Sequence, residues 1–148
     1  MTPKWRLRFL NVAEEVASWS KDPVTKCGCL IVTPNRQRVQ WGYNGPPAGL
    51  RDDKWQKGTR ERKLASTIHA EENVFLFTTF DTAGCWLFIY GLFPCAPCAS
   101  KIVQKEISTV VCYEEHMKEA RWNPAEAMEI LKDGGVNVVV HKLKEGKQ

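Results

Sequence analysis

The pattern of apolar residues predicts an α/β fold. A helical apolar stripe opens the chain, and short β-branched and aromatic runs recur after it. A capped helix then stands between the last two of those runs. The 148 residues suit one domain, spanning 1–148, with its own core.

The elements follow in order. Thr2-Pro3 reads as an N-cap followed by proline at the first helical position. Trp5, Phe9, Val12, Val16 and Trp19 then share one stripe at spacings of three and four, until Lys21-Asp22-Pro23 ends the helix. Cys27 to Thr33 and Arg38 to Tyr43 read as a strand pair turning at Pro34-Asn35. Cys27 and Cys29 alternate onto one face of the first strand, which suits small buried side chains better than metal ligands. Asn44 to Ile68 is a long polar stretch containing Gly and Pro, and loops of that length inside a compact domain usually carry function. A helix carrying His69 and Glu71 runs to about Thr79. Val74 to Phe77 make it apolar nearly all round, as expected of a helix covered by the sheet and by a second subunit. Cys85 to Tyr90 is a strand, and the Cys98 helix continues through Ile102 and Val103. Thr109 to Tyr113 is the next strand. Asn123-Pro124-Ala125-Glu126 has the form of a capped helix start, Gly134-Gly135 stops that helix, and Val136 to Val140 is the last strand. A strand, a capped helix and another strand predict a right-handed parallel crossover. Lys142 to Gln148 reads as a frayed tail.

Composition narrows the class. Hydrophobic residues are 43% and charged residues 26%, ordinary for a soluble globular protein. The longest apolar run, Cys85 to Phe93, is too short to cross a bilayer, so no membrane partner is expected. No apolar leader opens the chain. With six cysteines, that predicts reduced thiols and a cytoplasmic location. A net charge of +4 does not call for polymeric nucleic acid but suits a small anionic substrate.

The chemistry lies in His69-Ala70-Glu71 and Pro94-Cys95-Ala96-Pro97-Cys98. Thiolates and a neutral imidazole nitrogen are good zinc ligands, and zinc prefers four. His69, Cys95 and Cys98 supply three, which leaves a position for water, as in catalytic sites. Such a water is acidified to a pKa near ~7. Glu71 is two residues beyond His69, on roughly the other side of a helix, so it is better placed to reach a substrate than to ligate. A carboxylate there can move protons between that water and a bound substrate. A closed structural zinc site would need a fourth ligand, for which Cys27, Cys29, Cys85, Cys112, His116 and His141 are the available residues.

Four blocks, Ser20-Lys21-Asp22-Pro23, Gly42-Tyr43-Asn44-Gly45, His69-Ala70-Glu71-Glu72-Asn73 and Leu92-Phe93-Pro94-Cys95-Ala96-Pro97-Cys98, resemble the deoxycytidylate (dCMP) deaminases of the cytidine deaminase superfamily. The resemblance covers most of residues 5 to 141. It implies a three-layer α-β-α fold around a mixed five-stranded sheet, one catalytic Zn²⁺, and hydrolysis of dCMP to dUMP and ammonia, which supplies thymidylate synthesis. It also implies that Asn44 contacts the sugar and the backbone at Ala70 the base, with an aromatic from the region of Tyr113 covering the ring. Members are often hexamers, activated by dCTP and inhibited by dTTP with Mg²⁺. A homo-oligomer is therefore expected, a hexamer or else a dimer, with Lys21, Asp22, Tyr43, Gly45 and Asn73 as the residues of an effector site. Two departures stand out. Residues 45 to 68 hold no Cys or His for a second zinc, and no basic residue stands between His69 and Asp81, where Phe80 lies near the position that some regulated members fill with a cation. For the substrate phosphate, Arg121, Lys118, Lys21 and Lys26 are candidates, Arg121 first.

Three other functions compete. A tRNA adenosine deaminase or a single-stranded DNA cytosine deaminase shares the zinc motif but wants a basic, aromatic-lined path for flanking nucleotides. Here the basic residues are dispersed. A cytidine or dCTP deaminase differs only in substrate. A noncatalytic zinc-stabilised interaction module would fill all four ligand positions from protein.

Overall fold

The computed structural model describes residues 1–143; the expected tail lies outside them from residue 144 on. Helix α1 (Pro3–Ser18) begins where Thr2 caps it, its hydroxyl accepting the Trp5 N–H at 3.4 Å. Strands β1 (Gly28–Val32) and β2 (Val39–Tyr43) form the expected antiparallel pair, closed by a turn in which the Arg36 N–H reaches the Thr33 carbonyl at 2.8 Å. Helices α2 (Asp52–Gln56), α3 (Arg60–Ser66) and α4 (Ala70–Phe77) precede β3 (Trp86–Tyr90). Then come α5 (Ala96–Gln104), β4 (Thr109–Tyr113), two 3₁₀ turns (Glu114–Met117 and Ala120–Trp122), α6 (Pro124–Asp133) and β5 (Asn137–His141).

The sheet runs β2-β1-β3-β4-β5. β1 is antiparallel to both neighbours, and β3, β4 and β5 are parallel to one another, joined by the α5 and α6 crossovers. The sheet is therefore mixed and five-stranded, as expected. One core joins Ile31, Leu87, Ile89, Val110 and Cys112 to α4, α5 and α6; the other joins Leu30, Phe88, Val111 and Tyr113 to α1. Helices thus cover both faces, which makes three layers. Every residue of β1 and β4 is buried, the signature of strands packed on two sides. Among the described residues no helix is long and apolar enough to cross a membrane.

Three expectations need correction. The deeply buried residues of α1 are Leu10, Ala13, Val16 and Ala17, whereas Val12 and Trp19 are exposed. At Gly28 the contact with the sheet is made by Ala13 and Ala17, with Leu10 and Val16 packed in the same core. A Cβ at Gly28 would lie 2.3 Å from the Ala13 carbonyl oxygen, so the helix backbone sits directly on β1 at that point. Secondly, the stretch from Asn44 to Ile68 is not a plain loop. It carries α2 and α3, held down by the buried Trp55 and by an antiparallel bridge between Gly45 and Ile68. Thirdly, α4 is buried on one side only: Val74 is enclosed, but Leu76 is 69% and Phe77 64% exposed.

Candidate active site

β3 ends at Tyr90, beside the start of β1 at Gly28. The loop after it leads into α5, and α4 starts against the same end of the sheet. Ligand sites of open α/β sheets lie at this carboxyl end of parallel strands. His69 is the N-cap of α4 and Cys95 the N-cap of α5, yet neither side chain caps its helix. Both are free to turn toward a common point. The unpaired first-turn N–H groups of two helices lie near that point and favour thiolate over thiol there.

His69 Nδ1 is 3.5 Å from Cys95 Sγ and 3.4 Å from Cys98 Sγ. With Zn–S near 2.3 Å and Zn–N near 2.0 Å, a tetrahedron has an N-to-S edge of about 3.5 Å. The three residues therefore fit a tetrahedral zinc ion, with Nδ1 as the ligating nitrogen. The protonation pattern agrees. The Cys98 thiol hydrogen-bonds to Cys95, and His69 adds to this, pulling the Cys95 thiol well below its ordinary value. Cys98 is pushed up because it keeps the shared proton beside that thiolate. His69 is raised by its bond to Cys95. A pair of sulfurs sharing one proton around an imidazole will give that proton up to a cation. Among the described residues this cluster has three members. Cys27, Cys29, Cys85, Cys112, His116 and His141 stand outside it, so none closes the site, and neither does Glu71.

Glu71, in the first turn of α4, is only 6% exposed. Burial pushes its carboxyl up to about 7 from an ordinary 4.5, while its own backbone N–H and His69 pull the other way. It lines a cavity of about 320 Å³ together with His69 and Cys95. Cys27, Asn44, Ala70 and Phe93 are the other buried lining residues, and form its floor. Above them stand the Asp22–Thr25 turn, the Arg60, Lys63, Leu64 and Thr67 side of α3, and Arg121 with Trp122.

The predicted residues fall into three groups. His69, Ala70, Glu71, Cys95, Asn44, Asp22 and Arg121 all line the cavity. Asn44 does so with its amide engaged: Oδ1 accepts the Cys27 N–H and Nδ2 donates to the Thr25 carbonyl, both at 2.9 Å. One further donor and one further acceptor site remain on that amide. Asp22 Oδ1 accepts the N–H groups of Val24 and Thr25 at 2.9 Å, which shapes the turn.

A second group holds the frame. Asn73 Nδ2 donates to the Tyr43 carbonyl at 2.7 Å, joining α4 to the end of β2, and the Tyr43 ring stacks on Trp41. Gly42 lets α4 come close, since a Cβ there would lie 2.6 Å from the Val74 nitrogen. Gly45 pairs with Ile68, and Lys21 is held by Asp52 at 2.5 Å.

Tyr113 belongs to neither group and is corrected. It is buried on the α1 face, against Tyr90 and His116, on the far side of the sheet from the cavity. The aromatic residues that line the cavity are Phe93 and Trp122. Of the expected phosphate ligands only Arg121 lines the cavity; Lys26 Nζ donates to the Ser20 carbonyl. Sequence reasoning passed over Arg60, Lys63, Leu64 and Thr67. Their spacing of three, four and seven was a signal for one helix face, hidden by the polar residues around them.

A family model for the cytidine and deoxycytidylate deaminase zinc-binding region matches residues 3–114. The chain belongs to this family. An uncharacterized deaminase of Aliivibrio fischeri is 46% identical over 115 residues, covering 78% of this chain and 76% of that one. The deoxycytidylate deaminase of Homo sapiens is 37% identical over 115 residues, covering 73% of this chain and 64% of its own. The chain thus spans just under two thirds of the human relative. A cyanophage S-TIM5 dCMP deaminase, solved in apo form, has the same fold: the TM-score is 0.75 at 21% identity, over 95% of this chain and 100% of that one. The fold of this deaminase family member and its His-Cys-Cys cluster therefore agree with the motif reading.

Proposed function

We propose that this chain hydrolyses dCMP to dUMP and ammonia. The observation that carries the reading is the buried Glu71 carboxyl, set beside the His69, Cys95 and Cys98 cluster in a cavity with basic residues at its mouth. The substrate class is supported by the human relative's name and by the cyanophage protein, one structure of which is a complex with dCMP and dUMP.

His69, Cys95 and Cys98 would hold Zn²⁺, which would supply Lewis acidity to lower the pKa of the attacking water. Glu71 would take a proton from the attacking water and deliver it to N3 of the cytosine ring as the water oxygen adds to C4. Glu71 would then carry the proton of the new C4 hydroxyl to the C4 amino group, the C4–N bond breaks to release ammonia, and C4 becomes the carbonyl carbon of uracil. A carboxyl titrating near neutrality suits both directions of transfer. Phe93 and Trp122 confine the ring, and the backbone at Ala70 meets the base edge. Asn44 contacts the sugar with its remaining amide capacity. The protein would act as a single domain over residues 1–148.

A polymeric substrate fits less well, because Arg60, Lys63 and Arg121 cluster at one cavity mouth instead of tracking along a groove. A noncatalytic module fits less well, because among the described residues the ligand cluster stops at three. All six cysteines are free thiols, which suits the reducing cytoplasm. We further propose a homo-oligomer, hexamer or dimer, with only weak control by dCTP and by dTTP with Mg²⁺. The Lys21 amine, one Asp22 oxygen, the Tyr43 carbonyl, the Gly45 backbone and the Asn73 amide are already engaged within the chain. Residues 70 to 81 hold no basic residue to meet a triphosphate; the cation that shares a cavity with Phe80 is Arg38, from the turn before β2. The test is a turnover assay on dCMP, dCTP, CMP and deoxycytidine, each with and without dCTP or dTTP. dCMP should give the highest kcat/KM. Preference for any of the others replaces the substrate, and absence of turnover on all four removes the reading.

A further inference from the structure

We infer that α3 is the phosphate-reading element of this site, holding the substrate's 5′-phosphate with Arg60 and Lys63. This rests on the nucleotide reading above and names the residues that would select a nucleotide over a nucleoside.

The cavity-facing residues of α3 are Arg60, Lys63, Leu64 and Thr67. They fall at i, i+3, i+4 and i+7, which is one face of a helix. No residue of α3 is buried, so its attachment does not come from its own apolar contacts. It is held from below by Trp55, which is 2% exposed. Lys63 Nζ lies 5.3 Å from the centre of the Trp55 ring. That contact orients the ammonium group without neutralising it.

Charge pairing separates these two cations from Arg121, the third basic residue that lines the cavity. Lys21 is paired with Asp52, Arg51 with Asp53, Lys101 with Glu72 and Arg121 with Glu119. Among the described residues neither Arg60 nor Lys63 has an ion-pair partner. Asp22 is the one acidic lining residue besides Glu71, and its Oδ1 is taken up by two backbone N–H groups. The mouth of the cavity therefore carries two unneutralised cations on α3, with a half-neutralised Arg121 on a separate element. A phosphate monoester carries roughly −1.5 to −2 charges at pH 7. Two free cations match that charge. The buried end of the cavity holds Glu71 and the metal ligands, so a bound nucleotide has its base inward and its phosphate at the exposed mouth, where Arg60 stands.

The test is the ratio of kcat/KM for dCMP to that for deoxycytidine, in wild type, Arg60→Gln, Lys63→Gln, Lys63→Arg and the Gln double variant. Hydrogen bonds to charged groups contribute enough that each lost cation should lower the ratio about 10-fold, and the double variant about 100-fold. Lys63→Arg should keep most of the ratio. A structural role would lower both substrates together and leave the ratio at its wild-type value, which overturns the inference. A wild-type protein that treats dCMP and deoxycytidine alike also overturns it. Calorimetric binding of dUMP against deoxyuridine to the same variants gives a second readout that needs no turnover. If wild type deaminates neither substrate, the deaminase reading falls and this binding ratio decides the role of α3 alone. A ratio well above one that collapses in the double variant supports it, and a ratio near one overturns it.

Discussion

Asn44 Oδ1 accepts the backbone N–H of Cys27 at 2.9 Å, and through that bond the end of β2 fixes the start of β1 at the cavity floor. The other end of the same amide holds the Thr25 carbonyl, so one side chain positions two segments of the site. Asn44→Ala leaves both backbone groups without their partner, at a cost of about 1–3 kcal/mol for each left unsatisfied. Thermal melting should drop by at least ~5 °C, and kcat/KM for dCMP should fall with it. A variant with wild-type Tm and kinetics would show that the clamp is idle.

Glu71→Gln keeps size and shape but cannot shuttle protons. Zinc content and melting should stay near wild type while kcat falls by at least ~10²-fold. Appreciable turnover at full zinc occupancy would assign the proton transfers to another group.

Replacing His69, Cys95 or Cys98 with Ala should remove metal and activity together. Elemental analysis of the wild-type protein should return about one zinc per chain, as one three-ligand cluster allows. Two tightly held zincs would require ligands beyond this cluster.

The elements that sequence located well are those with a strong apolar period or a cap. β3, β4, α6 and the Thr2 cap of α1 stand within a residue or two of expectation, and the metal cluster was legible because its ligand types and spacing are rarely combined by chance. α2 and α3 were not legible, since Trp55 is the sole buried residue across both and no periodic stripe can arise from one residue. The face taken by Tyr113 was equally hidden. β4 is buried on both sides, so Thr109 to Tyr113 shows no polar alternation to say which side faces the cavity. In α1 the large side chains spelled a stripe, but the close approach at Gly28 also brings Ala13 and Ala17 onto the sheet, while Val12 and Trp19 are left exposed.

Burial pushes the thiols of Cys27 and Cys112 up to about 12 from an ordinary 9.0. A raised pKa means that the folded state holds these protons more tightly than the unfolded chain. That contribution to stability is complete below pH 9 and is lost as pH rises from 9 toward 12. Melting temperature measured under reducing conditions should therefore fall steeply over that range. Native alkylation at pH 8 should also spare Cys112. Rapid labelling of Cys112 in the folded protein at pH 8 would show that the core opens locally.

β2 is an edge strand, and apolar side chains stand exposed on both sides of it. On one side Val39 and Trp41 are exposed, with the Trp19 ring 5.1 Å from that of Trp41; on the other side, Leu76 and Phe77 project from α4, which packs on β2. Burying each such large side chain is worth roughly 1.5–3 kcal/mol, enough for a few of them to hold subunits together at micromolar concentration. Light scattering should find the wild-type protein as an oligomer. Leu76→Glu with Phe77→Glu should shift it toward monomer without unfolding it, because neither side chain contributes to the internal core. α4 also carries Glu71, so loss of the neighbouring subunit should loosen the helix and lower kcat in step with dissociation. A wild-type monomer at assay concentration would remove the proposed assembly. An oligomer untouched by the double substitution would move the interface away from α4.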